Sequence, residues 1–332
     1  MGLFKGVGWG FALCLAVALL VWRAASMPWN HALQLSALTL AIVAGMVLGN
    51  AAGGRLPSRF QPGLRFSQQK ILRLGVMLYG VRLTVGDLWH LGPRALALDI
   101  TVITSVLIVG YWLGTRVLKL DSDTALLVSA GSGICGAAAV LATDRVIESE
   151  SHKASVAVAT VVVFGTAAMF LYPFLYPLTG FSERTFGIYT GATVHEVAQV
   201  VAAGRAVGQL ASDTAVVTKM LRVLLLAPAL LLVGRIRRPE GASKGRAIGF
   251  PWFVLGFVAV IVAQSWLKPP AALRSALIDI DTILLSAAMF ALGVSTHWEQ
   301  MKRAGTRPLL LGAILFGGLI GGGFLMTSLL VR

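Results

Sequence analysis

The chain has 332 residues, of which 57% are hydrophobic and 13% charged, and its mean hydropathy is +0.81. That make-up lies far from a soluble domain and places the chain among polytopic membrane proteins. The formal net charge of +14 does not point to nucleic acid. The basic residues fall mostly between apolar runs, where they orient a chain and meet anionic headgroups, and no basic stripe interleaved with stacking aromatics accompanies them.

Met1 to Trp22 joins a lysine, an apolar core and Ala24-Ala25-Ser26, the outline of a secretory signal. The single lysine and the many apolar runs that follow favour an uncleaved first span. Runs long enough to cross about 30 Å of hydrocarbon fall at 7–23, 32–52, 71–86, 95–115, 124–142, 154–178, 187–204, 213–233, 250–267, 277–295 and 308–331. The pattern predicts an all-α polytopic membrane protein with about eleven membrane segments. Residues 1–332 read as one integral membrane domain, with first-repeat helices in 1–123, central segments in 124–233 and second-repeat helices in 234–332.

The longest basic connections are Gly53 to Lys70, with Arg55, Arg59 and Arg65, and Gly234 to Gly249, with Arg235, Arg237, Arg238, Lys244 and Arg246. The positive-inside rule puts both in the cytoplasm, together with Lys302, Arg303 and Arg307. Lys5 suits a cytoplasmic N-terminus, and the C-terminus then lies outside. Cys14 and Cys135 both sit in apolar runs and read as buried free thiols rather than a disulfide.

An internal repeat is visible. Gly80-Val81 with Gly92, Arg94 and Leu96 matches, without a gap, Gly293-Val294 with Gly305, Arg307 and Leu309. The two copies start in the third and tenth segments, an odd separation, so they cross in opposite senses. That is the signature of an inverted repeat, common among secondary transporters.

Two Gly-rich stretches, the fifth and seventh segments, do not read as lipid-facing helices. The first is Ser129-Ala-Gly131-Ser132-Gly133-Ile-Cys135-Gly136 and the second Gly191-Ala-Thr193-Val-His195-Glu196-Val-Ala-Gln199. Irregular backbone at membrane depth is tolerated only where it lines protein or a water-filled cavity. If both segments cross they run parallel; if both are re-entrant, one from each side, they form an inverted pair. Either way, a helix that restarts there would present unpaired N–H groups, the positive end of its dipole, to an anion. The competing reading is that the glycines are packing notches between helices.

His195 and Glu196 are ionisable residues within an apolar run, where burying a charge costs about 2.5–3.5 kcal/mol on insertion scales. Gln199, one turn on, shares their helix face. Lys219 and Arg222 lie at i and i+3 in the eighth run and need a partner, either Glu196 or a bound anion, unless both snorkel to the headgroups. Arg82 and Asp99 form a candidate buried pair, Asp279 and Asp281 sit at a span edge where water can reach them, and His297 and Trp298 fit the interface. His195-Glu196-x-x-Gln199 departs from the His-Glu-x-x-His zinc motif of a metalloprotease by placing a glutamine, a poor ligand, at the second metal position. A serine protease built on Ser132 and His195 has no support beyond the residue types. The pattern therefore calls for no catalytic residues, no metal and no cofactor.

Both Gly-rich stretches, through Gly204 in the second case, together with Lys219-Met220-Leu221-Arg222 through Pro228, resemble the YeiH-type prokaryotic membrane proteins, which carry the label of sulfate exporters. Leu74-Gly75 to Thr84 and Ala288-Met289 through Gly293 to Thr296 fit the same family. The resemblance covers nearly the whole chain. It implies a fold like that of the cation–proton antiporters and anion carriers: about ten helices in an inverted repeat, with interrupted helices crossing near the midplane.

The expected function is secondary transport, in the export direction, of a small inorganic or organic anion such as sulfate or a related sulfur oxyanion, coupled to protons or sodium. A channel or a structural membrane protein is the non-enzymatic alternative. Ser129, Gly131, Ser132, Gly133, Cys135, Gly136, Gly191, Thr193, Gln199, Lys219 and Arg222 are the candidate substrate-binding residues, and His195 and Glu196 the candidate coupling residues. Expected partners are the anion, the coupling ion and membrane lipid, with no nucleic acid; a homodimer is compatible with the sequence. The expected location is the plasma membrane of a prokaryote, the inner membrane if Gram-negative.

Overall fold

Helix formation along the chain follows apolar content, and Gly, Pro and side-chain caps set the boundaries. The computed structural model describes residues 3–27, 36–52, 56–237, 252–296 and 305–331. Its α-helices, in chain order, are α1 (Leu3–Ala25), α2 (Ala37–Ala51), α3 (Gln61–Phe66), α4 (Leu72–Tyr79), α5 (Val85–Trp112), α6 (Ser122–Gly133), α7 (Ala137–Ile147), α8 (Ser151–Thr179), α9 (Glu183–Thr193), α10 (Val197–Arg205), α11 (Gln209–Leu224), α12 (Leu226–Arg237), α13 (Trp252–Leu267), α14 (Ala271–Ser295) and α15 (Thr306–Leu330). Ser36, Asp121 and Ser182 cap α2, α6 and α9, each side chain accepting a hydrogen bond from the backbone N–H three residues on. No strand occurs among the described residues.

Among the described residues, six stretches of helix are long and apolar enough to cross a membrane: Val7–Ala25, Gly92–Val117, His152–Thr179, Gln209–Ile236, Ala271–Ser295 and Thr306–Leu330. Ala37–Ala51 and Trp252–Leu267 are shorter apolar helices. The expected run at 71–86 is the short α4 followed by a tighter turn, Gly80–Arg82. The runs at 124–142 and 187–204 are each a pair of short helices around a break.

One connection differs from expectation. Much of Gly53 to Lys70 is helix, running from Ser58 through α3 and a wider turn, Ser67–Ile71, straight into α4. Its charges hide an apolar stripe: Leu64, Ser67 and Ile71 are buried at helical spacing. Residues 238–251 of the second basic connection, and His297, Trp298, Lys302 and Arg303, lie outside the described residues.

The chain divides into two units, Met1–Asp87 with Trp252–Glu299 and Leu88–Pro251 with Gln300–Arg332. In the first, α14 packs along α2 and also touches α1 and α4. Gly45 and Gly293 set the α2–α14 approach, each lying against the other helix's backbone, where a methyl group would overlap a carbonyl oxygen. Arg82 binds Asp281 across this unit at 2.7 Å, with side chains only 8% and 1% exposed. The same guanidinium donates to Ile278 O and Thr282 Oγ1. The partner of Arg82 is thus Asp281 and not Asp99, which belongs to the other unit. Asp281 is sealed from solvent, whereas Asp279 is exposed.

The second unit is organised by α8, 29 residues long and so roughly 40 Å from end to end. Near its start Lys153 binds Asp121 and Asp123 at the beginning of α6, and ten residues after Asp121 Gly131 packs on Val161. So α6 runs alongside α8 in the same direction. After the break α7 returns: Val140 lies against Gly131, and α7 ends four residues before α8 begins. The second pair behaves likewise from the other end. Gly180, with φ +61°, closes α8, and α9 then runs beside α11, Gly187 against Thr214 and Gly191 against Thr218. α10 comes back, bringing Gly204 against Ser212 and Gly208 against Glu183. Both stretches are helical hairpins, open toward opposite ends of α8. Long helices α5 and α15 complete the unit; α15 packs on α6, α8 and α9.

Candidate functional site

The tips of the two hairpins are breaks of equal length. Aligning Gly131 with Gly191 without a gap puts Ile134 on Val194, Cys135 on His195, Gly136 on Glu196 and Val140 on Val200. α6 ends at Gly133 and α9 at Thr193; α7 restarts at Ala137 and α10 at Val197. The tips therefore offer two C-terminal helix ends, partially negative, and two N-terminal ends, partially positive.

The charged side chains follow that polarity. Lys219 Nζ donates to Ile134 O at 2.9 Å and to Val194 O at 2.7 Å, joining equivalent positions of both tips. Arg222 donates through Nε (2.9 Å) and Nη2 to Gly133 O. Both cations are fully buried, so neither snorkels, and both bind carbonyls rather than the Glu196 carboxylate. At the opposite polarity Glu196 Oε1 accepts from Ala137 N at 3.2 Å, and Gln199 Oε1 accepts from Glu196 N at 3.1 Å. The restarting helices are thus capped internally, and the open positive ends expected from the sequence are already occupied.

Gly136 makes the Glu196 contact possible. It adopts φ +67°, ψ −138°, a conformation suited to glycine. A Cβ there would overlap Glu196 Cγ. Gln199 in turn wedges its amide against Gly165 of α8.

Several buried polar atoms at the tips have no hydrogen-bond partner: Ser132 Oγ, both ring nitrogens of His195, Gln199 Nε2 and Arg222 Nη1. His195 meets the Phe316 ring at a centroid distance of 6.4 Å. Of the remaining predicted residues, Cys135 is a buried free thiol in the first tip. Thr193 is committed to Tyr172 OH (2.8 Å) and Tyr189 O (2.5 Å). Ser129 donates to Ala125 O and faces Gly110 of α5, while Gly131 and Gly191 are packing notches.

Sequence reasoning paired Asp99 with Arg82 and left it out of the site. It is fully buried on α5, with neither carboxylate oxygen hydrogen-bonded. Arg222 and Lys219 are the cations that act on it electrostatically. A lone carboxylate in the 95–115 run was the available signal.

Among the described residues no group of three or more His, Cys, Asp or Glu is placed to hold a metal ion. Long apolar helices, and a unit that spends its buried charges on the ends of broken helices, define an integral membrane protein of the all-helical class. The chain belongs to the family described as "Conserved hypothetical protein 698", whose model matches residues 9–312. It is 46% identical over 319 residues to the UPF0324 inner membrane protein YeiH of Escherichia coli, covering 95% of this chain and 91% of that protein. A UPF0324 membrane protein of Pseudomonas aeruginosa is 47% identical over 324 residues, covering 93% and 90%. One from Yersinia pestis is 44% identical over 326 residues, covering 95% and 90%. No solved structure matches the chain significantly.

Proposed function

We propose that the chain is a secondary transporter of a small oxyanion, sulfate or a related sulfur oxyanion, and not an enzyme. The observation that carries this reading is the chemistry of the unpartnered atoms. Arg222 Nη1, Gln199 Nε2, the Ser132 hydroxyl and one nitrogen of the His195 ring are all donors, each buried and unpartnered, carried by the two hairpins and by α11, which binds both tips. Sulfate is all acceptor, and a buried donor left unmade costs about 1–3 kcal/mol. An anion between the tips would satisfy several at once.

The hairpins supply the alternating-access frame. Open toward opposite ends of α8 and equal in register, they support an inverted pair of re-entrant segments meeting near the midplane. The repeat read from the sequence gains support from Gly92 and Gly305, which share positive φ (+69° and +82°) and extended ψ (173° and 154°), each just before a long apolar helix. On this reading eleven segments enter the membrane, nine of them crossing it. The N-terminus is cytoplasmic and the C-terminus outside, and residence in the inner membrane agrees with the name of the Escherichia coli relative.

Glu196 is the movable group. Its carboxylate occupies the N-terminus of α7, the place an anion would take, and protonation weakens its hold there. We expect Glu196→Gln to remain folded and to abolish pH-dependent sulfate flux in proteoliposomes. Undiminished flux with unchanged pH dependence would overturn this role.

A further inference from the structure

We infer that Asp99 is the carboxylate that exchanges Arg222 for a proton when the anion binds, making transport a proton–anion symport. The inference rests on the transporter reading above. Its geometry comes from α5. Asp99 shares a helix face with Val102, Ile103, Val106 and Gly110, all at helical spacing. On that face Val106 and Ile103 O lie against Gly133, and Gly110 against Ser129. Gly133 is the residue whose carbonyl holds Arg222. Asp99 thus lies on the face of α5 that packs on the end of α6 where Arg222 is held, and the two act on each other electrostatically, with both Asp99 oxygens and Arg222 Nη1 unpartnered.

The remaining ionisable groups around the pair are Lys219 from α11, Cys135 from the first tip, His195 and Glu196 from the second, and Tyr172 from α8. With both carboxylates ionised, two cations (Lys219, Arg222) and two anions (Asp99, Glu196) sum to zero. An incoming anion would then add an uncompensated buried charge, which is costly. A proton from the aqueous phase, bonded to one Asp99 oxygen, removes one negative charge and leaves Arg222 for the anion. Release reverses both steps, so one proton travels with each anion accommodated this way, in whichever direction the combined gradients point.

The test measures sulfate binding to the purified protein in nanodiscs between about pH 5.5 and 8, with proton uptake followed in weak buffer. Wild type should lose affinity by up to about tenfold per pH unit above the carboxyl titration, taking up a proton as sulfate binds. Asp99→Asn should lose the part of the pH dependence that Asp99 carries, up to about tenfold per pH unit, and take up about one proton fewer, leaving only the contribution of Glu196. Asp99→Glu should restore the pH dependence. A Asp99→Asn protein that keeps the wild-type slope overturns the inference and leaves the carrier reading standing. If Asp99→Asn does not fold, sulfate binding to wild type without proton uptake overturns it equally. Wild type that binds no sulfate at either pH overturns both readings, the carrier of sulfate first.

Discussion

At the residue scale the two tips touch through one aligned pair: Gly136 in the first and Glu196 in the second. The glycine is required twice over, by its backbone angles and by the Glu196 side chain packed where its Cβ would be. Gly136→Ala should destabilise the protein by about 1–3 kcal/mol through backbone strain alone. It should also push Glu196 from Ala137 N, lowering the melting temperature in detergent and reducing pH-dependent flux together. Truncating Glu196 as well, in Gly136→Ala/Glu196→Ala, should recover part of the stability and none of the flux. Full stability of the single variant would show that the tip is looser than the packing implies. That His195, Glu196, Lys219 and Arg222 called for explanation was legible in the sequence, because ionisable residues in apolar runs stand out. Their partners were not legible, since those partners are backbone carbonyls and N–H groups that any residue carries.

At the element scale, the first unit shows how an unpromising segment becomes helix. Pro57, Gly63 and five basic residues between Gly53 and Arg73 read as a connection. Leu64, Ser67 and Ile71 nonetheless find a surface to bury against, and burial outweighs the local signals. Arg82 then locks the end of this helix to α14 through Asp281. Removing one partner of a buried pair strands the other charge, at a cost of about 3–5 kcal/mol, whereas replacing both with apolar groups can be close to neutral. We expect Arg82→Met and Asp281→Leu each to lower the melting temperature sharply, and the double variant to lie well above either. Additive losses in that double-mutant cycle would mean the pair contributes little coupling.

At the scale of the whole molecule, the chain interleaves its two units, leaving the first after Asp87 and returning at Trp252. Gly92 with Pro93, and Gly305 with Pro308, stand at the starts of α5's long arm and of α15. Orientation is testable directly. In intact cells, a membrane-impermeant maleimide should label Arg332→Cys but not Ala242→Cys, and in inside-out vesicles the pattern should reverse. Cys14 and Cys135 are buried and should contribute little background. Labelling of Ala242→Cys from outside would invert the orientation drawn from the positive-inside rule.

The sequence by itself determined the membrane class, the succession of apolar runs, the places where helices break and the residues that had to be explained there. Those follow from composition and spacing, because hydrocarbon admits few ways to satisfy a backbone or a charge. It left open whether the broken segments cross or turn back, since a crossing pair and a pair of opposed hairpins leave the later loops on the same side. It also matched Arg82 with Asp99, the carboxylate nearest in sequence among the candidates. Only the tertiary structure decided these points: Lys153 on Asp123, Gly204 on Ser212, Arg82 on Asp281 and Lys219 across both tips are contacts between residues brought together by the fold. Nothing in the local sequence encodes them, and they bring the two Gly-rich stretches together around Lys219.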